Sequence, residues 1–125
     1  MNKTTVLIIA AIVGLTGAAA TPAANAAPAS KIDRSNVDCS NGALMETSLE
    51  RSERRLEVDV DIMSDPRVRW TVRFYQGDRR VHTVMRTTNR DGEFDFYRYL
   101  KDGTAPVQVK ARSASGETCR AVLRP

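Results

Sequence analysis

The sequence predicts an all-β domain in which seven short antiparallel strands pack as a two-sheet sandwich. Apolar and polar residues alternate with period two from about residue 43 to the end of the chain, as half-buried strands require. Turn residues interrupt the alternation about every ten positions, and no segment of this region has the spacing of an amphipathic helix.

The strands follow in order. Residues 68–75 are the clearest, with Val68, Trp70, Val72 and Phe74 alternating with Arg69, Thr71, Arg73 and Tyr75. Before them, Leu56, Val58, Val60 and Ile62 alternate with Glu57, Asp59 and Asp61, and Ser64-Asp65-Pro66 ends the run, since proline cannot continue a hydrogen-bonded ladder. The other five strands are read at 43–50, 79–87, 93–100, 107–113 and 118–123. Gly77-Asp78 has the two-residue length and leading glycine of a tight hairpin. Asp91-Gly92 and Asp102-Gly103 supply positive-φ positions, and residues 114–117 close the last hairpin.

Trp70 in the third strand, the hairpin at Gly77-Asp78 and the terminal Gly116-Glu117-Thr118-Cys119-Arg120 segment resemble an immunoglobulin-like or fibronectin-III-like sandwich, in particular small exported bacterial proteins of that shape. The resemblance covers most of residues 39–124 and implies a seven-stranded immunoglobulin-like antiparallel β-sandwich. It is one of architecture: the antibody-type disulfide joins the second and sixth strands, whereas Cys39 and Cys119 lie beside the first and seventh. Architecture does not assign a function.

The first 26 residues read as an export signal. Lys3 and the amino terminus are positive, residues 6–15 are apolar over a length too short for a stable span, and Ala24-Asn25-Ala26 has the A-x-A form of a cleavage site. Cleavage is expected after Ala26, with Ala18-Ala19-Ala20 as a second site and an uncleaved anchor as the alternative. Residues 27–37, rich in Pro, Ala, Ser and charge, read as a flexible leader, and 38–125 as the domain. Nothing after residue 26 is apolar enough to span a membrane, so a secreted, extracellular product is expected.

The two cysteines, Cys39 and Cys119, are expected to pair in an oxidising compartment. The alternative is two reactive thiols. With one histidine and no further soft ligands, neither a metal site nor a cofactor is expected.

The charges carry the functional reading. With the first, second and fifth strands in one sheet and the third, fourth, sixth and seventh in the other, parity points Phe74, Val81, Val109, Ala111, Cys119, Ala121 and Leu123 inward. It points Arg69, Arg73, Arg80, Arg86, Lys110, Arg112, Arg120 and Arg124 outward from one sheet. Glu46, Glu50, Glu57, Asp59, Asp61, Glu93 and Asp95 face out from the other. A two-residue turn at Gly77-Asp78 would set Tyr75 opposite Arg80, Arg73 opposite His82 and Arg69 opposite Arg86, bringing like charges together. The net charge is only +4, from 19 Lys plus Arg against 15 Asp plus Glu, so the feature is segregation, not bulk basicity. The expected binding set is Arg69, Arg73, Tyr75, Arg80, His82, Arg86, Lys110 and Arg112, and guanidinium groups suit planar oxyanions. Two readings compete: a solvated face that keeps the strands soluble, and a hairpin through Ser64 to Pro66 that would set Asp61 against Arg69 and Glu57 against Arg73, dissolving the polarity.

Trp70 reads as the centre of the core, with sugar stacking as its alternative. His82, with no nucleophile attached to it by any motif, reads as a surface residue. Tyr97 and Tyr99 could form an exposed aromatic pair, which cross-strand packing explains as well. Glu57, Asp59 and Asp61 on one strand face have the wrong geometry for a glycosidase or a calcium loop, and no phosphate loop or nucleophile elbow is present. The expectation is a non-enzymatic extracellular interaction module that takes an anionic cell-envelope polymer or an acidic protein, with no nucleic-acid partner. The alternatives are a small secreted hydrolase inhibitor presenting residues 88–92 or 101–106, and a self-associating envelope protein. The sequence leaves the oligomeric state open.

Overall fold

The computed structural model describes residues 30–125, and among these described residues there are eight strands and no helix. They are β1 (Ser30–Asp38), β2 (Leu44–Ser52), β3 (Arg55–Met63), β4 (Arg69–Gln76), β5 (Arg79–Thr87), β6 (Glu93–Lys101), β7 (Val107–Ser113) and β8 (Thr118–Leu123). They form two antiparallel four-stranded sheets, ordered β1-β2-β3-β6 and β5-β4-β7-β8. The signal segment, its cleavage site and the first residues of the leader lie outside the described residues.

The seven expected strands are β2 to β8, divided between the sheets as the sandwich topology supposed. The eighth is a correction. Most of the segment read as a flexible leader forms β1 on the outer edge of β2. A register irregularity between Lys31 and Asp33 hides its alternation, yet Ile32 and Val37 still pack on the core. Its hydrogen bonds come from outside: Thr47 Oγ1 donates to the Ser35 carbonyl at 2.9 Å and the Arg124 N–H donates to Asp33 Oδ2 at 2.7 Å. A composition poor in strand formers is overridden by a waiting edge.

The core lies between the sheets. Met45, Leu49, Leu56, Val58, Val60 and Ile62 from one meet Trp70, Val72, Phe74, Val107, Val109 and Leu123 from the other, all fully buried. Trp70 is 0 % exposed and its indole N–H donates to Ser64 Oγ at 3.1 Å, which rules out sugar stacking and leaves the core reading. Cys39 and Cys119 are joined, with Cα atoms 4.5 Å apart. Glu117 Oε2 accepts the N–H groups of Asn41 and Ala43 at 3.0 and 2.7 Å, so side chain and disulfide fasten the same corner.

The link from β3 to β4 decides the charge layout. It carries the chain from one sheet to the other, so the alternative hairpin through Ser64 to Pro66 does not form: Asp61 stands opposite Glu46 and Asp95, and Glu57 opposite Glu50 and Tyr99. Arg67 takes the left-handed conformation at φ +58°. Buried Thr88 holds the link, its Oγ1 accepting the Val68 N–H at 2.8 Å and donating to the Asp65 carbonyl at 2.7 Å. Gly92, at φ +83°, passes so close to the Ser64 carbonyl that a Cβ would collide with it.

Candidate binding surface

The outward side of β5-β4-β7-β8 is built by register. Cross-strand partners share a face of a sheet. Arg73 stands opposite Lys110 on β7, and Lys110 opposite Arg120 on β8. Thr71 stands opposite Arg112, and Tyr75 lies between Arg80 and Gln108. Arg69 begins β4 on the same parity. Six cations therefore share this face, and no outward strand position on it carries a carboxylate. Asp38, the last residue of β1, brings one to the rim of the depression lined by Arg73, Lys110, Arg112 and Arg120. Arg124 lies past the end of β8, where its backbone is held by Asp33.

Two members of the expected set leave this face. Gly77 takes φ +62° and Gln76 pairs with Arg79 as the tight turn requires, but Phe74 pairs with His82 where Tyr75 pairs with Arg80. Val81 is thus an extra residue, a β-bulge, and it reverses the parity of the rest of β5. The reason is apolar. Val81 and Val84 are three apart, and only an inserted residue lets both turn toward the core. Consequently Arg73 opposes Thr83, not His82, and Arg69 opposes Thr87, not Arg86. His82 lies edge-on to the buried Phe74 ring at 6.4 Å, and Arg86 lies over Phe96 of the other sheet at 5.4 Å. Thr83, Met85 and Thr87 take the outward places instead, Met85 being 61 % exposed.

Within the cationic face, Lys110 Nζ sits 4.8 Å from the Tyr75 ring centre, and Arg120 Nε donates to Gln108 Oε1 at 3.2 Å. Arg73 is central. Its Nε–H is buried without a hydrogen-bond partner among the described residues, a state in which a donor forfeits its solvation and gains nothing back. Shallow depressions flank it on both sides, one lined by Arg69, Arg112 and Met85 and the other by Lys110 and Arg120.

The outward side of the other sheet is mainly acidic, with Arg34 of β1, opposite Ser48, lining the same depression as Glu46, Asp59, Asp61 and Asp95. Glu46, Asp61 and Asp95 form a straight cross-strand row over β2, β3 and β6. Partial burial, then Asp95, Glu46 and Glu93, push the Asp61 carboxyl above its ordinary value. Next to this row Asp59 stands opposite Ser48 and Tyr97, then Glu57 opposite Glu50 and Tyr99. The sheet turns basic at its far end, where Arg55 faces Lys101 and its guanidinium lies 3.5 Å from the Tyr99 ring centre. Tyr97 and Tyr99 are exposed and meet edge to face at 5.4 Å.

Sequence reasoning placed these carboxylates outward on this sheet but not in one row, because the β2–β3 turn hides the register. Ser52 pairs with Arg55 around Glu53-Arg54, and Glu53 takes φ +56° without a glycine. Recognising that turn would have set Glu46 opposite Asp61. The 88–92 loop, one of the two inhibitor loops considered, is tied internally: Asn89 Oδ1 accepts from the N–H groups of Asp91 and Glu93. No family model, curated protein or solved structure matches this chain.

Proposed function

We propose that the protein is a secreted, non-enzymatic interaction module, immunoglobulin-like in architecture with one added N-terminal strand, whose arginine face takes an anionic polymer of the cell envelope. One observation carries this reading: Arg73, Lys110 and Arg120 stand in one cross-strand row with no carboxylate between them, and the central Arg73 holds a buried N–H without an acceptor. A polymer bearing phosphate or carboxylate groups gives these cations anionic partners and relieves the repulsion along the row. Guanidinium groups suit it because they grip planar oxyanions through paired donors. The set proposed here is Arg69, Arg73, Tyr75, Arg80, Lys110, Arg112 and Arg120; His82 and Arg86 lie on the opposite side of β5.

The test uses heparin and long-chain polyphosphate as probes on the disulfide-closed protein. Binding at low ionic strength that weakens steadily with salt is expected. Arg73→Glu with Lys110→Glu should abolish it, while Arg86→Glu, on the other side of the sheet, should weaken it far less. Absence of binding to either probe at low ionic strength, or an equal loss from Arg86→Glu, overturns the reading.

A further inference from the structure

We propose that copies of this chain stack face on face, the acidic outer side of β1-β2-β3-β6 of one copy seated on the arginine side of β5-β4-β7-β8 of the next. The reading does not rest on polymer binding. It rests on two matched rows. Arg73, Lys110 and Arg120 are cross-strand neighbours over β4, β7 and β8, and Glu46, Asp61 and Asp95 are cross-strand neighbours over β2, β3 and β6. Adjacent strands lie about 4.8 Å apart in any sheet, so both rows have the same pitch and the same length. Each repels itself in the isolated chain, and each is what the other lacks.

The acidic side is also suited to arginine beyond its charge. Tyr97 and Tyr99 stand exposed beside the carboxylates, and Arg55 already lies on the Tyr99 ring within the chain. An incoming guanidinium thus finds both a carboxylate and an aromatic face. The two sides lie back to back on one body. A contact between unlike faces leaves one of each free at the ends, so the assembly is heterologous and open, a linear stack and not a closed pair. Its strength is bounded by area. Four strands about 4.8 Å apart and about 25 Å long give a face of about 500 Å², or about 1,000 Å² over both partners, the size of a weak, transient interface. The stack is therefore reversible and sensitive to salt.

Sedimentation velocity of the disulfide-closed protein, over a range of concentrations at about 20 mM and about 500 mM salt, tests this. The mean mass should climb with concentration at low salt without a plateau at two copies, and return to that of one copy at high salt. Glu46→Gln with Asp95→Asn, near-isosteric changes, should weaken assembly about tenfold or more while heparin binding is retained. Reversing the whole of the cationic row, by Arg73→Glu with Lys110→Glu and Arg120→Glu, or the whole of the acidic row, by Glu46→Lys with Asp61→Lys and Asp95→Lys, sets rows of like charge against each other. Each variant should stay monomeric alone, and an equimolar mixture should assemble. A wild-type protein that is monomeric at low salt and high concentration, or a mass that stops at two copies, overturns stacking. So does a mixture of folded variants, checked by thermal melts, that does not assemble. Heparin binding that persists in any of these cases leaves the polymer reading standing, and stacking without heparin binding overturns that reading alone.

Discussion

Arg73 on β4 and Lys110 on β7 are direct cross-strand partners, a cation set against a cation on the exposed side of a sheet. Lys110→Glu converts the pair into an attractive one. Despite the loss of the Lys110 contact with Tyr75, the variant should gain roughly 0.5 kcal/mol of stability in low salt, less in high salt, while losing polyanion binding. Urea melts at two ionic strengths, read beside a heparin titration, check both halves.

Asp61 stands between Glu46 and Asp95, with Glu93 and Asp59 nearby on the same face. Its carboxyl is raised above the ordinary 3.8 by partial burial and by those first three carboxylates. The folded state therefore binds this proton more tightly than the unfolded chain does. Stability from this group falls as pH rises through the window between 3.8 and the raised folded value, and the loss persists at neutral pH. Asp61→Asn should stabilise the domain at pH 7 by several tenths of a kcal/mol, with the advantage vanishing below about pH 4. Thermal melts of both proteins across that range decide it.

The bond between Cys39 and Cys119 closes a separation of 80 residues. Removing it by Cys39→Ala with Cys119→Ala should cost roughly 4 to 5 kcal/mol if the unfolded chain bears the effect. That is a large part of the stability of a domain this small. Equilibrium urea unfolding of the double variant, or of the wild type with reductant, measures it.

Thr88 holds the crossing between the sheets with a hydroxyl that both accepts and donates. Thr88→Val keeps the volume but orphans the Val68 N–H and the Asp65 carbonyl, for an expected loss of about 1–3 kcal/mol. Thr83→Val, exposed on β5, is the comparison and should leave the melting temperature nearly unchanged.

Most of the strand pattern was legible because burial on one face imposes period two. Val68 to Phe74 and Leu56 to Ile62 show it without interruption, whereas the placement of β2, β3 and β6 in one sheet came from the supposed sandwich topology. What escaped was wherever an inserted residue broke the count. Val81 displaced His82 and Arg86 from the cationic face, and the irregularity at Ile32 disguised β1 as a tail. The acidic face was read, but the alignment of Glu46 with Asp61 escaped for a different reason: Glu53 turns the chain at positive φ with no glycine to announce it. Side-chain alternation is written residue by residue, whereas register depends on turns whose energetics are shared with the strands they join.

The bulge at Val81 has a second effect. It bends the free margin of β5 and, with Arg86 and with Arg98 lying 5.5 Å over the same Phe96 ring, turns charge into the mouth between the two outermost strands. A foreign strand approaching there meets a kinked ladder and two guanidinium groups. Main-chain pairing through the β5 edge is thereby disfavoured.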